Sequence, residues 1–124
     1  MNYKQTISWL YNQLPFYQKQ GSSAYKQNID HIKNFFKKNG EDYLCFDAIH
    51  IAGTNGKGSV SHMLSSIFQE SGMKVGLFTS PHLLDFRERI KINGIKVEHA
   101  FVVEFVEKYM SDFLKLEMSF FEMN

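Results

Sequence analysis

One segment, Ala52-Gly53-Thr54-Asn55-Gly56-Lys57-Gly58-Ser59, constrains this chain more than any other. It follows residues 46–52, Phe-Asp-Ala-Ile-His-Ile-Ala, a mostly apolar run that reads as a strand buried on both faces of a parallel sheet. It precedes Val60, Met63, Leu64, Ile67 and Phe68, whose spacing is one face of a helix that Gly72 stops. A helix N-terminus offers amide N–H groups without partners and about half a positive charge. Glycines let the backbone wrap closely around phosphate oxygens. Lys57 adds a full charge, and Ser59 adds a hydroxyl. The spacing departs from Gly-x-x-x-x-Gly-Lys-Ser/Thr, because only Thr54 and Asn55 separate Gly53 from Gly56, and Gly58 separates Lys57 from Ser59. A bare connecting turn is the alternative. The strand–helix setting and the lysine favour a nucleotide phosphate site. A dinucleotide fingerprint fits less well, since Lys57 stands at the close-approach position.

The rest of the chain reads as α/β. Ile7, Leu10, Tyr11 and Leu14 mark a first helix that Pro15 ends, followed by a polar loop over 18–23. Ile29, Ile32 and Phe36 mark a second helix, closed by Asn39-Gly40. Residues 75–79 read as a strand, so 46–79 has the length of a right-handed strand–helix–strand crossover. A short strand at 89–92 leads into Asn93-Gly94, a strong hairpin signal. Val102, Phe105, Val106, Tyr109 and Phe113 mark another helix. The expected architecture is a mainly parallel sheet flanked by helices.

At 124 residues, the chain is expected to form one domain. It is 44% hydrophobic and 15% aromatic, enough for a core. A net charge of +1 argues against a nucleic-acid surface. No apolar run approaches the ~18 residues that span a bilayer, so no membrane partner is expected. Cys45 is the single cysteine, read as a small buried hydrophobe in a reducing cytoplasm. His31, His50, His62 and His99 lack metal-ligand spacing. His50 is expected as a satisfied core group and His62 on the solvent side of its helix. The last residues, 116–124, are rich in apolar and aromatic side chains, and we expect a chain cut short; a complete small domain is the other reading.

The segment His50 to Val60 resembles the nucleotide loop of folylpolyglutamate and dihydrofolate synthases, in the Mur ligase superfamily. Gly58-Ser59 after the lysine is closer to the folate branch than to the cell-wall branch. Ser80-Pro81-His82-Leu83, then Phe86-Arg87-Glu88-Arg89-Ile90 and an Asn-Gly hairpin, looks like a second signature of that family. On the residues alone, Ser80 and His82 fit a ligand-binding loop and a surface Ser-Pro turn equally well. The resemblance implies that Thr54, Asn55, Gly56, Lys57, Gly58 and Ser59 bind ATP, with Lys57 the catalytic cation. It implies Ser80 as a Mg²⁺ ligand and His82 as a substrate contact. Ser119-Phe120-Phe121-Glu122 resembles a pterin-holding stretch, and an apolar core strand explains it equally well. Pro15, Phe16 and Tyr17 match a second pterin region loosely. Arg87 and Arg89 are expected to be solvated.

On that resemblance, the chain is the N-terminal part of the ATP-binding domain, with later strands and a glutamate-binding domain beyond it. The implied reaction joins L-glutamate to dihydropteroate or folate through an acyl phosphate, in the cytoplasm, within folate and one-carbon metabolism. The implied small-molecule partners are ATP, L-glutamate and the pterin acid. Residues 1–124 alone are expected to lack turnover. Another Mur-type amide ligase, acting on peptidoglycan or cyanophycin, and a non-catalytic ATP-binding module are the rival readings. A P-loop kinase or GTPase loses on the short loop and the lack of an Asn-Lys-x-Asp guanine motif.

Overall fold

The computed structural model describes residues 1–13, 29–40 and 45–124, which divide into two compact units, Met1–Asp47 with Val102–Asn124 and Ala48–Phe101. The expectations at Leu14, at Pro15, Phe16 and Tyr17 and over 18–23 lie outside the described residues.

The first unit is helical. Helix α1, Tyr3–Asn12, starts at a capping box in which Asn2 accepts from the Gln5 amide and Gln5 accepts from the Asn2 amide. It buries Thr6 and Leu10. Helix α2, Asp30–Asn39, ends at Gly40 with φ 66°, a left-handed cap that glycine adopts without a Cβ penalty. Its buried residue is Phe35, one position from the expected Phe36.

Helix α4, His99–Lys115, carries Val102, Val106, Tyr109 and Phe113 into this core, as its periodicity predicts. Phe35 packs edge-on to Tyr109 at 5.0 Å and stacks on Phe113 at 5.5 Å. Each fully buried side chain here contributes about 1.5–3 kcal/mol. Lys38 and Asn39 both donate to Asp112, and the Lys38 ammonium is the main cause holding that carboxyl below its usual range.

The second unit holds a helix and a sheet. Helix α3, Lys57–Glu70, follows the glycine loop. Strands β1, Gly76–Phe78, β2, Ile90–Ile92, and β3, Ile95–Lys96, form one sheet in the order β1-β2-β3. Every pairing is antiparallel, with Leu77 opposite Lys91 and Ile92 opposite Ile95. The β2–β3 turn is Asn93-Gly94, both at positive φ, as the dipeptide predicts. Asn93 closes it against Val75 through two hydrogen bonds of 2.8 and 2.9 Å.

The mainly parallel sheet expected from the sequence is therefore not what the described residues form. Residues 46–52 pair with no other described residue, and Phe46, Ile49 and His50 are exposed. A parallel strand needs neighbours for its amides and covers for its two faces, and no described residue supplies them. Cys45 and His50 are thus surface groups, not core groups. Most of the apolar stripe of α3 is also open, with Val60, Met63 and Ile67 exposed and Leu64 and Phe68 half-buried. Among the described residues, no helix is long and apolar enough to cross a membrane.

Candidate functional site

The glycine loop lies on the surface, with every residue from Ala52 to Val60 exposed. Gly56 caps α3 in the left-handed conformation, φ 75° and ψ −3°, and its carbonyl accepts the first helical bond, from the Val60 amide at 3.0 Å. The amides of Lys57, Gly58 and Ser59 are thereby left at the helix mouth, where no intrahelical acceptor exists. The Lys57 ammonium folds back and donates to the Gly53 carbonyl at 2.5 Å and more weakly to the Thr54 carbonyl at 3.5 Å. Loop and lysine form a cationic collar of amides and ammonium, suited to an anion. His62 is exposed, as expected, with its Nδ1 2.8 Å from the Gly58 carbonyl and its Nε2 3.4 Å from the Lys91 ammonium.

Among the described residues, nothing lies within 4 Å of where a Gly56 Cβ would stand, so an alanine there meets no described neighbour. The cost is purely conformational, about 1–2 kcal/mol for an L residue in this region. Gly56→Ala is expected to lower stability by about that much and to weaken nucleotide binding, because relieving the strain turns the collar. Chemical denaturation alongside calorimetric titration with AMPPCP checks both.

The loop after β1 carries Ser80 and His82. A second capping box organises it, in which the Asp85 side chain accepts from the Arg87 amide and Glu88 reaches back. The Glu88 carboxylate accepts from the amides of Leu83 at 2.9 Å, Leu84 at 3.2 Å and Asp85 at 2.9 Å. These bonds, Leu83's first, hold its pKa below the ordinary 4.5. Since the folded value is the lower one, the stabilisation is full above 4.5 and fades as pH falls through the folded pKa. Hydrogen exchange is expected to show the Leu83, Leu84 and Asp85 amides losing protection in that acid window. Glu88→Ala is expected to expose them at neutral pH.

The two arginines are not the solvated groups expected. Arg87 pairs with Asp85, Nη2 to Oδ2 at 2.6 Å, and also reaches the Val97 carbonyl at 3.3 Å. Arg89 is 6% exposed and donates from Nε to Nδ1 of His82 at 2.8 Å. Arg87 finds its partner two residues back in its own turn, whereas Arg89's partner lies seven residues away and depends on how the loop folds.

The stretch 119–122 belongs to a helix, α5, Phe120–Met123, and not to a strand. Ser119 and Glu122 form its capping box, Glu122 Oε2 accepting from the Ser119 amide at 2.7 Å. Phe120 is buried and stacks on Tyr11 at 5.7 Å, while Phe121 is exposed. Glu122 also faces His31 at 3.6 Å. The Ser-x-x-Glu spacing was the signal for this helix start.

Ser80 is exposed and offers a hydroxyl oxygen, the donor type a hard cation such as Mg²⁺ takes. Among the described residues, no group of three or more His, Cys, Asp or Glu could hold a metal ion. Mg²⁺ commonly keeps several waters and takes its other oxygens from substrate phosphates, and one protein hydroxyl fits that pattern.

No family model matches the chain. Its fold is that of solved folylpolyglutamate synthetases. The enzyme from Lactobacillus casei aligns with a TM-score of 0.83 and 27% identity, over 99% of this chain and 31% of that one. A structure of a folylpolyglutamate synthase complexed with AMPPCP and folate aligns with a TM-score of 0.77 and 27% identity, over 99% of this chain and 30% of that one. A dihydrofolate synthase/folylpolyglutamate synthase of Bacillus subtilis is 40% identical over 95 residues, which is 77% of this chain and 20% of that protein. The chain belongs to the folylpolyglutamate/dihydrofolate synthase family, and it spans about a fifth of the length of that relative.

Proposed function

We propose that this chain is the N-terminal, nucleotide-binding part of an ATP-dependent ligase that adds L-glutamate to folate, dihydropteroate or both. The observation that carries the reading is the exposed collar at the mouth of α3, with Lys57 folded over it, in a chain of the folate-ligase family. One relative of matching fold is a complex with AMPPCP and folate, which supports a nucleotide and a pterin as ligands here as well.

In this reading the amides and side chains of Thr54, Asn55, Gly56, Gly58 and Ser59 hold the triphosphate. Lys57 exchanges the Gly53 carbonyl for phosphate oxygens and is the catalytic cation. A carboxylate is a poor electrophile until its oxygen becomes a leaving group. Transfer of the γ-phosphoryl to the pterin acid's carboxylate gives an acyl phosphate and ADP. The glutamate amine then attacks the acyl carbon, the amide bond forms, and phosphate leaves. Lys57 and the collar amides counter the negative charge on the phosphoryl in flight. Ser80 would hold Mg²⁺, which supplies charge neutralisation on the phosphates when bound. His82 contacts substrate. Phe121 offers its exposed face to the flat pterin, while Ser119, Phe120 and Glu122 build the short helix that presents it.

An assay of ADP release by the intact protein, with glutamate and either dihydropteroate or tetrahydrofolate, tests this reading. Turnover that needs both glutamate and a pterin supports it. Thermal protection by a nucleotide-sugar substrate in place of a pterin points to a cell-wall-type ligase, and no turnover with ATP bound points to a non-catalytic module.

A further inference from the structure

We propose that Arg89 is a positioning residue that fixes the tautomer and direction of His82, committing the ring's Nε2–H to donate to an oxyanion of the substrate. The functional half of this rests on the reading of His82 as a substrate contact; the tautomer itself does not.

The chemistry of the pair removes the usual ambiguity. A histidine tautomer is normally assigned by choosing among hydrogen-bond networks. A guanidinium carries five N–H donors, no acceptor, and a charge that persists at any working pH. Arg89 Nε lies 2.8 Å from His82 Nδ1, so Nδ1 must be the acceptor. An accepting Nδ1 bears no proton, and the neutral ring then carries it on Nε2. That arrangement suits a carboxylate or phosphate oxygen and rejects a donor. It also withholds Nδ1 from base or metal-ligand duty.

The surroundings hold the pair in place. Arg89 and Phe86 are both buried, and the Arg89 guanidinium carbon lies 5.9 Å from the Phe86 ring centroid. The same Phe86 ring stands edge-on to His82 at 6.0 Å and 68°. The other arginine cannot substitute, because the Asp85 carboxylate engages both Nε and Nη2 of Arg87. Glu88 pins the three amides that follow His82, so the ring is approached from a fixed stem. Desolvating a guanidinium is costly, and the imidazole Nδ1 is the acceptor that meets the buried Arg89 Nε.

The test is imidazole ¹⁵N spectroscopy on the intact protein labelled at histidine, with the His82 signals identified by their loss in His82→Gln. The expected spectrum near neutral pH has His82 Nδ1 unprotonated and Nε2 protonated. Arg89→Leu is expected to move both signals toward the average of two tautomers and to raise KM for one anionic substrate about tenfold, with a smaller change in kcat. A protonated Nδ1 in the unaltered protein overturns the proposal, and this arm needs no variant to fold. An unchanged tautomer in a folded Arg89→Leu protein overturns it too. A tautomer shift with KM unchanged for ATP, glutamate and pterin sinks the role in substrate binding. Absence of ligase turnover in the unaltered protein would fault the functional reading, while the spectrum still reports on Arg89.

Discussion

Lys57→Ala is expected to reduce turnover of the intact protein by roughly 10²- to 10³-fold, the usual effect of deleting one preorganised donor to a charged transition state. Folding is expected to survive. Lys57 is exposed, and among the described residues its ammonium donates to the carbonyls of Gly53 and Thr54, both in its own loop. Deleting such a surface group normally changes stability by less than about 0.5 kcal/mol. The two readouts separate cleanly: denaturation midpoint unchanged, kcat collapsed, and AMPPCP binding weakened. A variant that keeps its turnover within about twofold of the unaltered protein would remove Lys57 from the phosphate site.

Phe113→Ala is expected to have the opposite signature, a loss of about 3–5 kcal/mol of stability. Phe113 is 1% exposed and meets Phe35, Phe105 and Tyr109 at centroid distances of 5.5, 6.0 and 6.2 Å. Alanine leaves a ring-sized cavity among aromatic neighbours that cannot collapse without leaving their own contacts. Against a total stability of about 5–15 kcal/mol, that is a large share. Urea unfolding followed by tyrosine fluorescence measures it. A loss below about 1 kcal/mol would mean that this helical unit does not depend on its aromatic centre.

The helices were legible because their apolar residues recur at helical spacing, and burial of Val102, Val106, Tyr109 and Phe113 follows from that period alone. Asn93-Gly94 announced its hairpin because few other dipeptides tolerate two positive φ angles. The collar was legible for a similar reason: glycines and a lysine directly before an amphipathic helix mark an open helix mouth.

Pairing was not legible. Residues 46–52 and 75–79 both read as strands of one parallel sheet, yet Gly76–Phe78 pairs antiparallel with Ile90–Ile92, and 46–52 forms no strand with any described residue. Apolar content says that a segment seeks cover; it does not name the cover. Arg89 was unreadable for a related reason. A charged residue is buried only when a distant partner meets it, and His82 lies across a loop whose closure depends on Glu88. By contrast, Ser119-x-x-Glu122 was readable as a helix start, but its two phenylalanines drew attention toward an aromatic patch.

An amide-resolved NMR titration of the intact protein with AMPPCP tests the triphosphate collar most directly. Saturable shifts should be largest at the backbone amides of Gly56, Lys57, Gly58 and Ser59 and should vanish in Lys57→Ala. Saturation that leaves those four amides unmoved would put the nucleotide elsewhere and contradict the account.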